Sequence, residues 1–268
     1  MNEETRKTVL AMTLMSDILF NAMMNNNKEC MEYILRIIVN KKDLQVYNVE
    51  IQHTVPNPFS RGVRYDVFAT DSQGNEYDIE VQQADSGAVP KRGRYNSSML
   101  DYMSLDKNQD WDKLPNTYVI FITENDVLRG GVPIYHINRR IDEMNGELYS
   151  DGNQIIYVNG AYKVKEGEEK TELMSLIEDF RCSNANDMTS QILAARMKQI
   201  KNSEEEMTNM CKEVEKYAAN KVAEAKMEEK IENVIGMIKE GLGIDLIARV
   251  SRLTVDQVTA IGKQASLL

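Results

Sequence analysis

Histidine, cysteine, proline and tryptophan are all scarce in this 268-residue sequence, with 2, 3, 5 and 1 copies respectively. The three cysteines (Cys30, Cys182, Cys211) are scattered and form no CxxC pair. That excludes a thiolate zinc site and a disulfide framework, and fits a reducing compartment. His53 and His136 fall in different expected strands with no partner motif, so neither is assigned as ligand or base. No Ser/His/Asp or Cys/His arrangement is suggested. No uninterrupted apolar run reaches the ~20 residues that cross a bilayer. The opening MNEETRKTVL lacks the charged-then-apolar pattern of a signal peptide. The expectation is a cytoplasmic protein with no membrane partner. Phosphate-cradling glycine patterns are missing too: RGGVP is too short and precedes a strand, not a helix.

A surplus of positive charge is also lacking. The formal net charge is −10. Residues 1–163 hold 17 basic and 23 acidic side chains, and the remainder 15 and 19. A protein that tracks nucleic acid over its whole surface is usually basic, because phosphate contacts supply most non-specific affinity. Any nucleic-acid site here must be a local patch.

What is present suffices for a globular core. Hydrophobic residues make up 42%, and the length allows one large domain or a medium domain with an appendage. Apolar residues recur at helical spacing over residues 5–24, and again from Lys28 to about Val39. LQVYNVEIQHTV then alternates with period two, and a loop through Pro56, Pro58 and Gly62 leads into RYDVFAT. SQGN turns the chain into EYDIEVQQ. GRYNSSMLDYMSL reads as a helix, TYVIFIT as a buried strand and PIYHINRR as another. ELYSDGNQIIYVNGAY has the pattern of a last hairpin, turning at Asp151-Gly152. The sum is an α/β fold, a mixed β-sheet flanked by helices.

From about Lys165 the composition changes: proline is absent, and Lys and Glu dominate. This predicts a core over 1–165 and a charged, mainly α-helical tail over 166–268. Ile200, Met207, Met210, Val214 and Tyr217 follow heptad spacing until Lys221 and Glu224 break it. A short coiled coil and an amphipathic helix packed on its own domain both fit. Two short helices across SRLT, the second capped by Thr254, resemble a helix-turn-helix in outline, with charge too balanced for reading DNA.

The chemistry concentrates in YDVFATDSQGNEYDIEVQQ, residues 65–83. Asp78, Glu80 and Gln82 share one face of a strand, and Tyr77, Ile79 and Val81 the other. Such a row is either a solvated strand face or a site. Asp66 tips the balance, because the hairpin brings it close to Glu80. Converging carboxylates repel unless a cation or proton lies between them. Oxygen-only donors suit Mg²⁺ or Mn²⁺. Glu50-Ile51-Gln52 repeats the E-x-Q spacing but has no aspartate at the right distance before it, and reads as a solvated strand.

Asp66 followed by Glu80-Val81-Gln82 resembles the PD-(D/E)XK nuclease motif, in the variant with glutamine at the lysine position. Further stretches match in order: SDILFNAMM, KECMEYILRIIV, KRGRYNSSMLDYMSL and the tail ending GLGIDLIARVSRLTVDQV. Together they resemble the PD-(D/E)XK nuclease family transposases, the recombination-promoting nuclease group. The resemblance covers residues 10–165 well and the tail loosely. Asn21 stands where that family usually has lysine.

The resemblance implies a restriction-endonuclease-like core and metal-dependent cleavage of DNA. Asp66 and Glu80 would ligate Mg²⁺ or Mn²⁺, and Gln82 would occupy the catalytic-lysine position. Glu29 would be the helical acid that completes the site, with Glu32 as its rival. A glutamine amide can orient water or bond a phosphate, but supplies no positive charge. Lys91, Arg92 and Arg94 form the densest basic cluster near the site and are the DNA-contact candidates. Tyr95 and Tyr102 read as base-stacking or core residues. Two functions stay open: a DNA endonuclease serving recombination or a mobile element, and a catalytically weak nuclease fold that binds DNA or protein and self-associates through its tail.

Overall fold

In the computed structural model, residues 2–57 and 61–267 are described, so Pro58 of the expected loop lies outside the described residues. The chain divides into two compact units, Met1–Cys211 and Lys212–Leu268.

The first unit is built on a six-stranded mixed sheet. Its strands are β1 (Val46–Val55), β2 (Val63–Asp71), β3 (Glu76–Gln82), β4 (Thr117–Thr123), β5 (Ile134–Ile137) and, after a two-stranded ribbon of β6 (Arg140–Ile141) and β7 (Glu147–Leu148), β8 (Asn153–Asn159). The spatial order is β1-β2-β3-β4-β8-β5. β1, β2 and β3 run antiparallel, β3, β4 and β8 run parallel, and β5 returns antiparallel to β8. The central parallel strands carry near-continuous apolar runs, as strands covered on both faces must. β3 is the exception: Tyr77 to Val81 are all buried although two of them are acids.

Helices α1 (Glu3–Ala11), α2 (Asp17–Met24) and α3 (Lys28–Ile38) precede the sheet, and α4 (Pro90–Ser104) links β3 to β4. α2 packs on β1, β2 and β3, whereas α4 packs on β3, β4 and β8. Met99 and Leu100 of α4 close a core with Phe68, Val119, Phe121 and Tyr157. α5 (Glu172–Arg181) and α6 (Gln191–Asn202) complete the unit against α2 and α3.

Four expectations need correction. The periodic run over 5–24 is two helices, because the chain breaks at residues 12–16. Lys201 of α6 donates to the freed carbonyls of Leu10 and Met12, at 2.8 and 2.9 Å, and that satisfies the break. The last hairpin does not form. Asp151-Gly152 does turn, with Gly152 at φ 79°, but β7 pairs with β6 while β8 enters the sheet between β4 and β5. The heptad is not one helix, since Ile200 lies in α6, which ends at Asn202, and Met207 lies in the helix that begins at Glu204. The tail does not start at residue 166 as a separate body. Leu176, Ile177, Phe180, Leu193 and Met197 are buried, and the compact unit runs on to Cys211.

The long helix α7 (Glu204–Lys239) begins in the first unit, where Met207, Met210 and Cys211 are buried. The second unit holds the rest of α7, α8 (Ile244–Ser251) and α9 (Val255–Gln264). Val234, Ile247, Ala248, Val258 and Ile261 form its own small core. Thr254 caps α9 in a reciprocal box with Gln257.

Candidate active site

The β2–β3 ladder pairs Thr70 with Glu76 and ends with Val67 opposite Ile79. One step beyond, Val81 gives its amide to a side chain: it donates to Asp66 Oδ2 at 3.3 Å. The Asp66 amide in turn lies within hydrogen-bond reach of the Glu80 carboxyl. In the β1–β2 register Gln52 falls at the level of Asp66 and adopts φ 53°. That left-handed conformation is uncommon for a non-glycine residue, and Gln52 and Asp66 are skipped in the pairing while the strand and its register continue on both sides. Asp66 and Glu80 are therefore brought together where regular pairing gives way.

Around them the groups are tightly connected. The Glu80 side chain is fully buried. Its Oε2 accepts from Gln82 Nε2 at 3.0 Å and from Arg92 Nη2. Asn96 on α4 donates to Asp78 Oδ2 at 2.8 Å and more weakly to Glu80 Oε1 at 3.4 Å. Asp78 is completely buried, and among the described residues its Oδ1 has no hydrogen-bond partner. Arg92 also donates to the Gly87 carbonyl at 2.6 Å and lies over the Phe121 ring at 5.9 Å. A Cβ at Gly87 would stand 1.9 Å from Gln82 Oε1, so a larger residue there would displace that amide from its present position.

The electrostatics follow from burying acids together. Burial, then the Glu80 charge, pushes Asp78 well above the usual carboxylate range. Burial again leads for Asp66, followed by Glu80 and Asp17, with Arg92 and the Val81 amide pulling the other way. Glu80 is raised by burial, while Arg92 opposes the shift most. Carboxyls this close and this dry cannot all ionise without a compensating cation.

The expected site residues divide into those brought together and those left apart. Asp66, Glu80, Gln82 and Arg92 meet. Glu29 is exposed on α3. Glu32 is committed elsewhere, accepting from the Val46 amide at 2.9 Å and pairing with Arg36 at 2.6 Å. The helical acid that Asp66 senses is Asp17, in the first turn of α2. Sequence reading missed it because the periodicity over 5–24 hid the break that places Asp17 at a helix start. Asn96 was missed as well, since nothing in GRYNSS distinguishes it from a surface amide. Lys91 and Arg94 are exposed on α4, three residues apart, while Arg92 turns inward. Tyr95 packs at the edge of the core and donates to the Arg61 carbonyl, and Tyr102 is exposed. The second E-x-Q is occupied otherwise, with Glu50 bonding His53 Nδ1 at 2.5 Å. A cavity of about 810 Å³ lies away from these groups, lined by Arg36, Lys42, His136 and Lys170. Two of its cations are already paired, Arg36 with Glu32 and Lys170 with Glu178.

Among the described residues no three His, Cys, Asp or Glu side chains stand ready-made around a metal ion. The donor set nevertheless fits a hard cation. Mg²⁺ is commonly held by one or two carboxylates, with waters and substrate phosphate filling the other positions. Asp66 and Glu80 supply two, and among the described residues Asp78 Oδ1 is a buried oxygen without a hydrogen-bond partner.

A sequence profile of the family described as PD-(D/E)XK nuclease family transposase matches residues 14–234. That span takes in α2, the whole sheet and most of α7. No curated protein and no solved structure matches the chain significantly. Among the described residues no helix is long and apolar enough to cross a membrane.

Proposed function

The chain belongs to the PD-(D/E)XK nuclease family transposases, and from that premise we propose that it is a divalent-metal-dependent endonuclease hydrolysing DNA phosphodiesters. The observation that carries the proposal is the pairing of Asp66 with Glu80 at the end of the β2–β3 ladder, among acids raised by one another. Asp66 and Glu80 would hold Mg²⁺ or Mn²⁺. Such an ion supplies a Lewis acid for a phosphoryl oxygen and a more acidic water.

The protein groups have separable roles in this reading. Asn96 fixes Asp78 and steadies Glu80 Oε1. Gln82 holds Glu80 Oε2 and orients a water or phosphate oxygen without adding charge. Lys91 and Arg94, on the exposed face of α4 near its N-terminus, bind the DNA backbone by charge alone. Membership of the family supports a role in recombination or for a mobile element within this proposal.

The test is cleavage of plasmid DNA with Mg²⁺ or Mn²⁺ by the wild type and by an Asp66→Ala protein shown to be folded. Metal-dependent cleavage lost in the variant supports an enzyme. If the wild type cuts nothing under any metal yet still binds DNA, the chain is a binding module on a nuclease fold.

A further inference from the structure

Three carboxyls, Asp66, Asp78 and Glu80, each feel the positive charge of one side chain, Arg92. Its position is over-determined. Nη2 bonds Glu80 Oε2, Nη1 bonds the Gly87 carbonyl at 2.6 Å, and the guanidinium lies against Phe121. The Arg92 side chain is one-third exposed, 34%, while that of Glu80 is fully buried. Arg92 therefore reaches inward from the surface to cover the mouth of the acidic site. Its neighbours Lys91 and Arg94 point to solvent.

The oxygen it covers is one of the two that Glu80 can offer a metal, the other accepting weakly from Asn96 at 3.4 Å. Glu80 Oε2 already accepts from Gln82, so a divalent ion and Arg92 contend for the space that remains around it. A guanidinium released from a carboxylate keeps its fork of donors and its charge. Anchored on α4 and stacked on Phe121, it cannot move far. The phosphate brought in by DNA is an anion that its fork of donors could then receive.

Resting on the nuclease reading above, we propose that Arg92 is a catalytic residue. It neutralises Glu80 while metal is absent and passes to the scissile phosphate when a divalent ion takes Glu80. It thereby supplies the positive charge that Gln82 does not. Metal and DNA binding become linked through this one side chain. Without metal, Arg92 is spent on Glu80. With metal, Arg92 adds to DNA affinity, and by reciprocity DNA adds to metal affinity.

The experiment compares the wild type, Arg92→Gln, Arg92→Lys and the charge-transplanted double variant Gln82→Lys/Arg92→Gln, each first checked for a cooperative thermal transition. Metal affinity is measured by Mn²⁺ titration without DNA. DNA affinity is measured on a short duplex with Ca²⁺ and with chelator. Cleavage is followed in Mg²⁺. Arg92→Gln should bind Mn²⁺ about tenfold tighter, its competitor being gone. It should lose the gain in DNA affinity that Ca²⁺ gives the wild type, and cleave about a hundredfold more slowly. Arg92→Lys keeps the charge and should fall between. The double variant returns a cation to the site from β3 and should recover part of the cleavage.

Unchanged Mn²⁺ affinity in Arg92→Gln overturns the proposal, as does weaker DNA binding by the same factor with and without Ca²⁺, which would make Arg92 an ordinary backbone contact. Failure of the double variant to recover any cleavage also overturns it. A wild type that cuts no DNA refutes the nuclease reading instead, and the Mn²⁺ and Ca²⁺ titrations still decide whether Arg92 is linked to metal.

Discussion

Asp66 is tied to the strand of Glu80 by a backbone amide, against the mutual repulsion of the two carboxyls. The Asp66 carboxylate accepts from Val81, the residue after Glu80, and the Asp66 amide faces the Glu80 carboxyl. Two like charges are thus held together by the β2–β3 junction itself. Asp66 cannot swing away without giving up the Val81 amide, and an unmade buried bond costs roughly 1–3 kcal/mol. Pre-organisation of this kind favours a bound cation and penalises its absence.

Asp17 should matter more than either acid of α3. Asp17 bears on Asp66, Glu29 faces solvent, and Glu32 is occupied by Val46 and Arg36. Asp17→Asn is expected to weaken Mn²⁺ binding several-fold and to lower cleavage about tenfold or more. Glu29→Gln should leave both within experimental error. Parallel metal titrations and cleavage assays check this, and a larger effect at Glu29 would return the helical acid to α3.

Gln82 should be tolerant of charge and intolerant of truncation. Its amide holds Glu80 Oε2 at 3.0 Å from a position that a residue larger than glycine at 87 would displace. Gln82→Ala removes that donor from a buried carboxylate and should reduce cleavage by about tenfold to a hundredfold. Gln82→Lys should retain or raise cleavage at saturating Mg²⁺, because mass action offsets weaker metal binding. Cleavage rates across a Mg²⁺ series measure both. Indifference to either change would mean that Gln82 lies outside the reacting centre.

Stability should fall as pH rises, which is the reverse of the common behaviour of paired carboxylates. Unfolded carboxyls titrate near 4, whereas Asp66 is pushed to about 8, with Asp78 and Glu80 raised as well. Between those values the folded chain holds more protons than the unfolded one, so unfolding becomes easier with each step upward in pH. Thermal melts from pH 5 to 8.5 should show Tm declining, and saturating Mg²⁺ should flatten the slope. Asp78→Asn, which removes a group that must hold a proton in the folded chain, should raise Tm at pH 8 more than at pH 5. A Tm that climbs across this window in the metal-free protein would contradict the account.

Truncation separates the two units at a different place from the change in composition. A chain ending at residue 165 loses Leu176, Ile177, Phe180, Leu193, Met197 and Ile200, all buried. Each is worth roughly 1.5–3 kcal/mol of burial, together as large as a domain's usual margin of about 5–15 kcal/mol. That fragment should show no cooperative melt. One ending near residue 215 should fold and, under the nuclease reading, still cleave DNA. Circular-dichroism melts of the two fragments settle the boundary.

Much of this protein was legible in its linear pattern because the signals are local. Period-two alternation in LQVYNVEIQHTV and EYDIEVQQ, the glycine turn between the first strands, the apolar run TYVIFIT and the Thr254 cap each depend on residues within a few positions of one another. The D…ExQ spacing belongs to the same class, since a hairpin brings Asp66 to Glu80 by its register alone. Tertiary structure decided what depends on distant partners. Lys201, nearly 190 residues away in sequence, satisfies the carbonyls of the break between α1 and α2, and the helix start so created brings Asp17 to Asp66. Packing of α5 and α6 on α2 and α3 drew a charged, proline-free stretch into the core unit. The inward turn of Arg92, with Lys91 and Arg94 left outside, was set by where α4 crosses β3 and β4. Helical periodicity fixes only the relative directions of neighbouring side chains. Which of them meets the acids depends on the sheet lying beneath.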